Sequence, residues 1–77
     1  MFRYEEELRS ALTSLELARA VRTARVDQGG TYRVVGERVI PLLGLDIGYQ
    51  DLQSVGRAAC WVAAELLDED PNAEPWN

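Results

Sequence analysis

The chain has no histidine, no lysine and only one cysteine among its 77 residues. The lack of histidine removes the commonest general base and the commonest metal ligand of proteins. A single cysteine excludes an intrachain disulfide, which fits a reducing, cytoplasmic setting. The longest uninterrupted apolar run, Ala58 to Ala64, is far too short to cross a bilayer. We therefore predict no membrane association, no bound metal and no cofactor.

The few segments that could carry chemistry have simpler interpretations. Cys60 lies within the apolar run, which predicts a small buried side chain and not a nucleophile. The acidic run at residues 68–70 lacks the spaced ligands and central glycine of a calcium loop. The glycines of Gly44–Gly48 do not fit a phosphate-binding loop. We predict that the protein is not an enzyme.

The charges are sorted along the chain. Residues 1–40 hold seven arginines against six acids, a net charge of +1, and residues 41–77 hold one arginine against seven acids, a net charge of −6. These two values add to the overall −5. A segregated charge of this kind bears on partners and association rates, not on fold.

Apolar residues at helical spacing predict a first helix over residues 4–20. The run Thr13 to Glu16 also matches a capping box, so the helix could restart near Ser14. From about Asp51 a second apolar stripe predicts a C-terminal helix, which Pro71 would end. These elements indicate one domain over residues 1–70, followed by an acidic irregular tail at residues 71–77.

The middle of the chain has two interpretations. β-Branched and aromatic residues flank Gly36-Glu37 between Thr31 and Pro41, which favours a β-hairpin with a type II′ turn. Residues 21–26 could add a third strand. The alternative is a second helix over residues 32–40, stopped by Pro41. We therefore predict an α+β fold (helix, hairpin, helix, tail), with an all-α three-helix domain as the alternative.

The hairpin register and the two helical stripes together define an expected core. Its predicted members are Leu8, Leu12, Leu15, Val34, Val39, Leu52, Val55, Ala59 and Leu66.

The acidic half favours a protein-interaction function. Carboxylates arrayed on a rigid helix can occupy a basic groove built for phosphates, so the protein would act as a nucleic-acid mimic that occludes a basic surface of a partner protein. Small acidic phage-encoded inhibitors of host defence are similar in size and charge, although no motif links this chain to them. The predicted partner-binding residues are Trp61, Glu65, Asp68, Glu69 and Asp70.

The C-terminal helix also suggests a homodimer. Its alanines Ala58, Ala59, Ala63 and Ala64 would let another helix approach closely. Trp61 lies off the apolar stripe, so it would either anchor such an interface or close the core of a single chain.

The alternative function is DNA binding by a small regulator or antitoxin. Residues 13–21 followed by residues 30–35 resemble a helix-turn-helix of the bacterial repressor type, with about three extra residues in the turn. Nucleic acid is a partner only in this interpretation, and the net charge of −5 works against it. The contacts would come from Arg19, Arg22, Arg25 and Arg33.

Overall fold

Four α-helices build the structure, a computed structural model that describes residues 3–77 except for the side chain of Tyr49. They are α1 (Glu5–Ala11), α2 (Leu15–Arg22), α3 (Tyr32–Leu43) and α4 (Leu52–Leu66). A π-helical segment, Thr23–Asp27, prolongs α2, and a 3₁₀ turn, Tyr49–Asp51, precedes α4. No strand occurs within residues 3–77, so the α+β prediction is wrong and the all-α alternative fits, with four helices instead of three. No helix of this region is long and apolar enough to span a membrane.

The predicted first helix is two helices. Leu12 leaves the helical region with φ −92° and ψ 86°, which ends α1. The Ser14 hydroxyl then accepts a hydrogen bond from the backbone N–H of Leu17 at 3.1 Å and caps α2. A continuous helix over residues 4–20 is therefore wrong, and the predicted restart near Ser14 is confirmed. A serine N-cap satisfies a backbone donor that the start of a helix leaves unpaired.

Helix α3 stands where the hairpin was predicted. The Thr31 hydroxyl accepts a hydrogen bond from the N–H of Val34 at 3.3 Å and caps the helix start. Gly44, at φ 66° and ψ 32°, ends it in the left-handed conformation that glycine adopts most easily. Gly36 is buried in the middle of the helix instead of forming a turn. The hairpin prediction failed because β-branched residues with helical caps at both ends can form a helix that packs well.

Two further expectations for this region are also corrected. Residues 21–26 form the end of α2 and the π-helical segment, not a third strand, because Val21 and Ala24 both face the core. Pro41 does not stop α3, which continues to Leu43. Proline lacks one backbone donor, and Pro41 lies in the last turn on the exposed side of the helix.

Helix α4 lies at the centre of the fold and packs against α1, α2 and α3. Its closest crossing is with α3, where the two backbones meet at Gly36 and Gly56. A Cβ atom on Gly56 would overlap the carbonyl oxygen of Tyr32 and lie 2.9 Å from the backbone nitrogen of Gly36. A Cβ atom on Gly36 would overlap the carbonyl oxygen of Leu52. Only glycine fits at either position without moving a helix.

The segment after Pro71 consists of turns, yet it belongs to the core. Trp76 is only 1% exposed and packs in the same hydrophobic cluster as Leu8 and Leu12. Its large apolar side chain is a substantial part of the core that a chain of this size can build. Residues 71–77 therefore close the fold.

The expected core is confirmed at six positions and wrong at three. The buried members are Leu8, Leu12, Val39, Leu52, Val55 and Ala59. Leu15, Val34 and Leu66 are 48%, 37% and 36% exposed. Val34 faces solvent because a helix turns it away from Val35 and Val39, whereas the hairpin register placed it beside Val39.

Candidate functional site

Glu69, one of the predicted partner-binding residues, points toward Arg22 and Trp76, with 34% of its side chain exposed. Its Oε1 atom accepts a hydrogen bond from the Trp76 indole N–H at 2.6 Å and one from the Arg22 guanidinium at 3.2 Å. The Trp76 hydrogen bond, aided by Arg22, holds the pKa of the Glu69 carboxyl below its ordinary value. This carboxylate therefore ties the C-terminal segment to α2.

Asp68 and Asp70, on either side of Glu69, face outward. Asp68 adopts φ 58° directly after α4, and its side chain is exposed. Asp70 is also exposed, and its Oδ1 atom accepts the backbone N–H of Asn72 at 2.9 Å. Neither carboxylate is in an ion pair with any residue of the described region. We name residues 68–70 the acidic turn; it presents two carboxylates outward while the third anchors it.

Glu65 and Trp61 interact with each other and with α1. The Glu65 carboxylate pairs with the Arg9 guanidinium at 2.7 Å, which raises the pKa of Arg9. The Trp61 indole N–H donates to the other oxygen of Glu65 at 3.1 Å, and the Trp61 ring is half-buried. The charge of Glu65 is thus matched within the chain. A partner interface formed by Trp61, Glu65, Asp68, Glu69 and Asp70 stays a prediction. Among its four acids, Asp68 and Asp70 are the two in no ion pair with a described residue.

The four alanines that were predicted to line a homodimer interface lie in the core of the single chain. Ala58, Ala59, Ala63 and Ala64 are all fully buried. Their short side chains admit the neighbouring helices of the same chain, in line with the close glycine crossing between α3 and α4. A homodimer through α4 stays a prediction, and these four buried alanines would not contribute to its interface.

The four arginines of the alternative nucleic-acid contact have different environments. Arg19 is exposed, in no ion pair among the described residues, and Arg33 is exposed and 3.7 Å from Glu37. Arg22 pairs with Glu69 and with Asp27, at 3.2 and 3.5 Å. The guanidinium of Arg25 donates to the Gly30 carbonyl at 3.0 Å and lies over the Tyr32 ring, 4.4 Å from its centre. Arg22 and Arg25 are therefore engaged in contacts with other segments of the fold, whereas Arg33 pairs only within its own helix.

Cys60 is buried in α4, as predicted from the apolar run around it. Burial raises the pKa of its thiol to about 12, against a smaller opposing effect of the positive charge of Arg25. The Nε atom of Arg25 is itself buried without a hydrogen-bond partner. The thiol is protonated at neutral pH, so it has little nucleophilic character. Within residues 3–77 no group of three or more acids or cysteines is arranged to hold a metal ion.

Trp76 is the main residue of this region that sequence reasoning missed. A tryptophan in an otherwise polar C-terminal segment was the available signal, because so large an apolar side chain rarely remains in solvent. Comparison with protein families, with curated proteins and with solved structures gives no match.

Proposed function

We propose that the protein is a non-enzymatic interaction module that binds and occludes a basic surface of a partner protein through the acidic turn. The observation that carries this proposal is the pair of outward, unpaired carboxylates of Asp68 and Asp70, held in place by the inward Glu69. A turn anchored by a buried tryptophan loses little conformational freedom when it binds.

The distribution of ion pairs supports the same proposal. Within the described region, four arginines are used in ion pairs inside the chain: Arg3, Arg9, Arg22 and Arg33. The exposed acids in no ion pair with a described residue are Glu6, Glu7, Glu16, Asp46, Asp68, Asp70 and Glu74. The charge that faces solvent is therefore mainly negative, which favours a cationic partner and disfavours DNA.

Charges of this kind act mainly on the rate of association. Carboxylates at the rim of an interface attract a cationic surface over about one Debye length, and salt weakens that attraction. We expect the complex to form more slowly as salt rises, with a smaller effect on its dissociation. A cytoplasmic setting forms part of the proposal, supported by a lone cysteine that is buried as a thiol.

The test begins with affinity capture from host cells, with and without nuclease, and identification of captured proteins by mass spectrometry. The association rate of the purified partner is then measured with the variant Asp68→Arg/Asp70→Arg. Glu69 is left unchanged, because its reversal would break the contacts with Trp76 and Arg22. We expect association to slow about tenfold or more.

The matched control is Glu16→Arg/Glu37→Arg, which changes the net charge equally at two exposed sites away from the acidic turn. Equal slowing by both double variants would show that net charge acts, not the acidic turn. The DNA-binding alternative has its own result: capture that nuclease abolishes and that Arg19→Gln/Arg33→Gln also abolishes, with no effect of Asp68→Arg/Asp70→Arg. That result would replace the proposal.

A further inference from the structure

A second acidic feature lies on α1, away from the acidic turn. An open groove of about 490 Å³ separates one side of α1 from the connection between α3 and α4. It is lined by Glu6, Glu7, Ser10, Ala11 and Leu45. The groove is shallow and open to solvent, so it can contact one side of a peptide segment without enclosing it.

Both walls of the groove are set by the fold. The α1 wall consists of two pairs of residues one turn apart, Glu6 with Ser10 and Glu7 with Ala11, which lie on adjoining rows of the helix. The opposite wall is Leu45, whose backbone N–H donates to the Ile40 carbonyl at 3.0 Å after the left-handed turn at the end of α3. The groove therefore exists before any partner arrives.

The groove combines apolar surface with negative charge. Ala11 and Leu45 supply half-buried apolar surface, and the carboxylates of Glu6 and Glu7 are exposed and in no ion pair with a described residue. The arginines nearest to them in the sequence are engaged elsewhere. Arg3 lies 3.6 Å from Asp51. Arg9 pairs with Glu5 and Glu65, on another side of α1.

We propose that this groove binds a basic segment of the partner protein, with an arginine or lysine stem packed on Ala11 and Leu45. The cationic end of that side chain then meets Glu6 and Glu7. Long basic side chains suit such a site, because their methylene groups pack on apolar surface while the charge stays at the rim. This inference rests on the proposed function and names a second contact with the same kind of partner.

The test is a titration of the full chain with the peptide acetyl-Arg-Arg-Leu-Arg-amide at low salt. Binding is monitored by the ¹⁵N–¹H chemical shifts of the protein. We expect saturable shifts at residues 6–11 and 45. The same peptide with citrulline in place of arginine keeps the shape without the charge, and it should not bind. Glu6→Gln/Glu7→Gln should weaken binding about fivefold, a reasonable sum for two exposed ion pairs.

The matched control is Asp68→Asn/Asp70→Asn, which removes the same two charges at the acidic turn and should weaken peptide binding less than about twofold. Ser10→Phe, which fills the groove without changing its charge, should also weaken binding. Unchanged spectral dispersion in each variant verifies the fold. Equal weakening by the two charge-removing pairs, or shifts spread over all exposed acids, would overturn the groove proposal.

The two proposals fail separately. If the peptide does not bind the groove while the captured partner still depends on Asp68 and Asp70, the groove proposal is wrong and the proposed function stands. If the peptide binds at residues 6–11 and 45 but association with the captured partner is unaffected by Asp68→Arg/Asp70→Arg, the acidic turn is not its interface.

Discussion

The substitution Gly56→Ala should destabilise the protein, although a Gly→Ala change at an exposed position of a helix usually stabilises that helix. Alanine is favoured over glycine inside a helix by about 1 kcal/mol. At Gly56, however, the new Cβ atom would lie 2.7 Å from the carbonyl carbon of Tyr32 and 2.9 Å from the nitrogen of Gly36. Both neighbours are backbone atoms, so no side-chain rotation can relieve the overlap and α3 must move away from α4.

The size of the effect follows from these two opposing contributions. Overpacking a well-packed core costs about 1–3 kcal/mol, and the upper end applies where backbone meets backbone. Subtracting the gain in helix propensity leaves a net loss of about 2 kcal/mol. For a chain of this size that loss lowers the melting temperature by about 8–16 °C. Gly36→Ala should act in the same direction, because its Cβ atom would overlap the Leu52 carbonyl.

Urea denaturation followed by far-UV circular dichroism measures the change in unfolding free energy. Gln53→Ala is the control, since Gln53 is exposed on the same helix and its loss should change stability by less than about 0.5 kcal/mol. The double variant Gly36→Ala/Gly56→Ala should cost less than the sum of the single changes. Helices already separated by one Cβ atom have room for the other.

A Gly56→Ala variant more stable than the wild type would contradict this expectation. If Gly56→Ala raised the unfolding free energy by about 1 kcal/mol, propensity alone would account for it. The two backbones would then not meet at this crossing.

Four further outcomes are expected. Trp76→Ala should lower the unfolding free energy by about 3–5 kcal/mol in urea denaturation, because it empties a buried site, and a loss below about 1 kcal/mol would mean that the C-terminal segment is not part of the core. The pKa of Glu69 is lowered in the folded state, so its contribution to stability is present above its ordinary value of 4.5 and is lost as the pH falls through the lower folded pKa. In urea denaturation between about pH 6 and pH 3, the stability difference between the wild type and Glu69→Gln should therefore shrink as the pH falls, and a constant difference would show that the carboxylate charge plays no part. Asp68→Gly should raise the melting temperature by removing the cost of φ 58°, about 0.5–1 kcal/mol, whereas Asp68→Ala keeps that cost and should not. Cys60 should resist thiol reagents at pH 8 until the protein unfolds, since burial raises its pKa to about 12, and rapid labelling of the folded protein would contradict this.

Local signals in the sequence determined α4 and the start of α2. The apolar spacing from Leu52 onward predicted α4 and its buried face, and the cap near Ser14 marked the start of α2. Such signals act within one or two helical turns, so they are readable without knowledge of the rest of the chain. The buried environment of Cys60 was predictable for the same reason.

Tertiary contacts decided the secondary structure of the middle of the chain. Locally, Gly36 between β-branched residues favours a turn, and Thr31 and Gly44 favour a helix between them. The close crossing with α4 tips this balance, because Gly36 in a helix lets the α3 backbone reach Leu52. A preference of this kind depends on a partner helix that no short window of sequence contains.

The sequence determined one part of the candidate site, and the tertiary structure determined the other. The sequence determined that the net negative charge is concentrated in residues 41–77, because seven of the eight arginines precede them. Only the tertiary structure decided which carboxylates face solvent. Glu69 is bonded to Arg22, 47 positions away, and to Trp76, so it faces inward while its two neighbours face outward. Ion pairs and hydrogen bonds depend on distance in space, and a pattern of charge along the chain does not contain that distance.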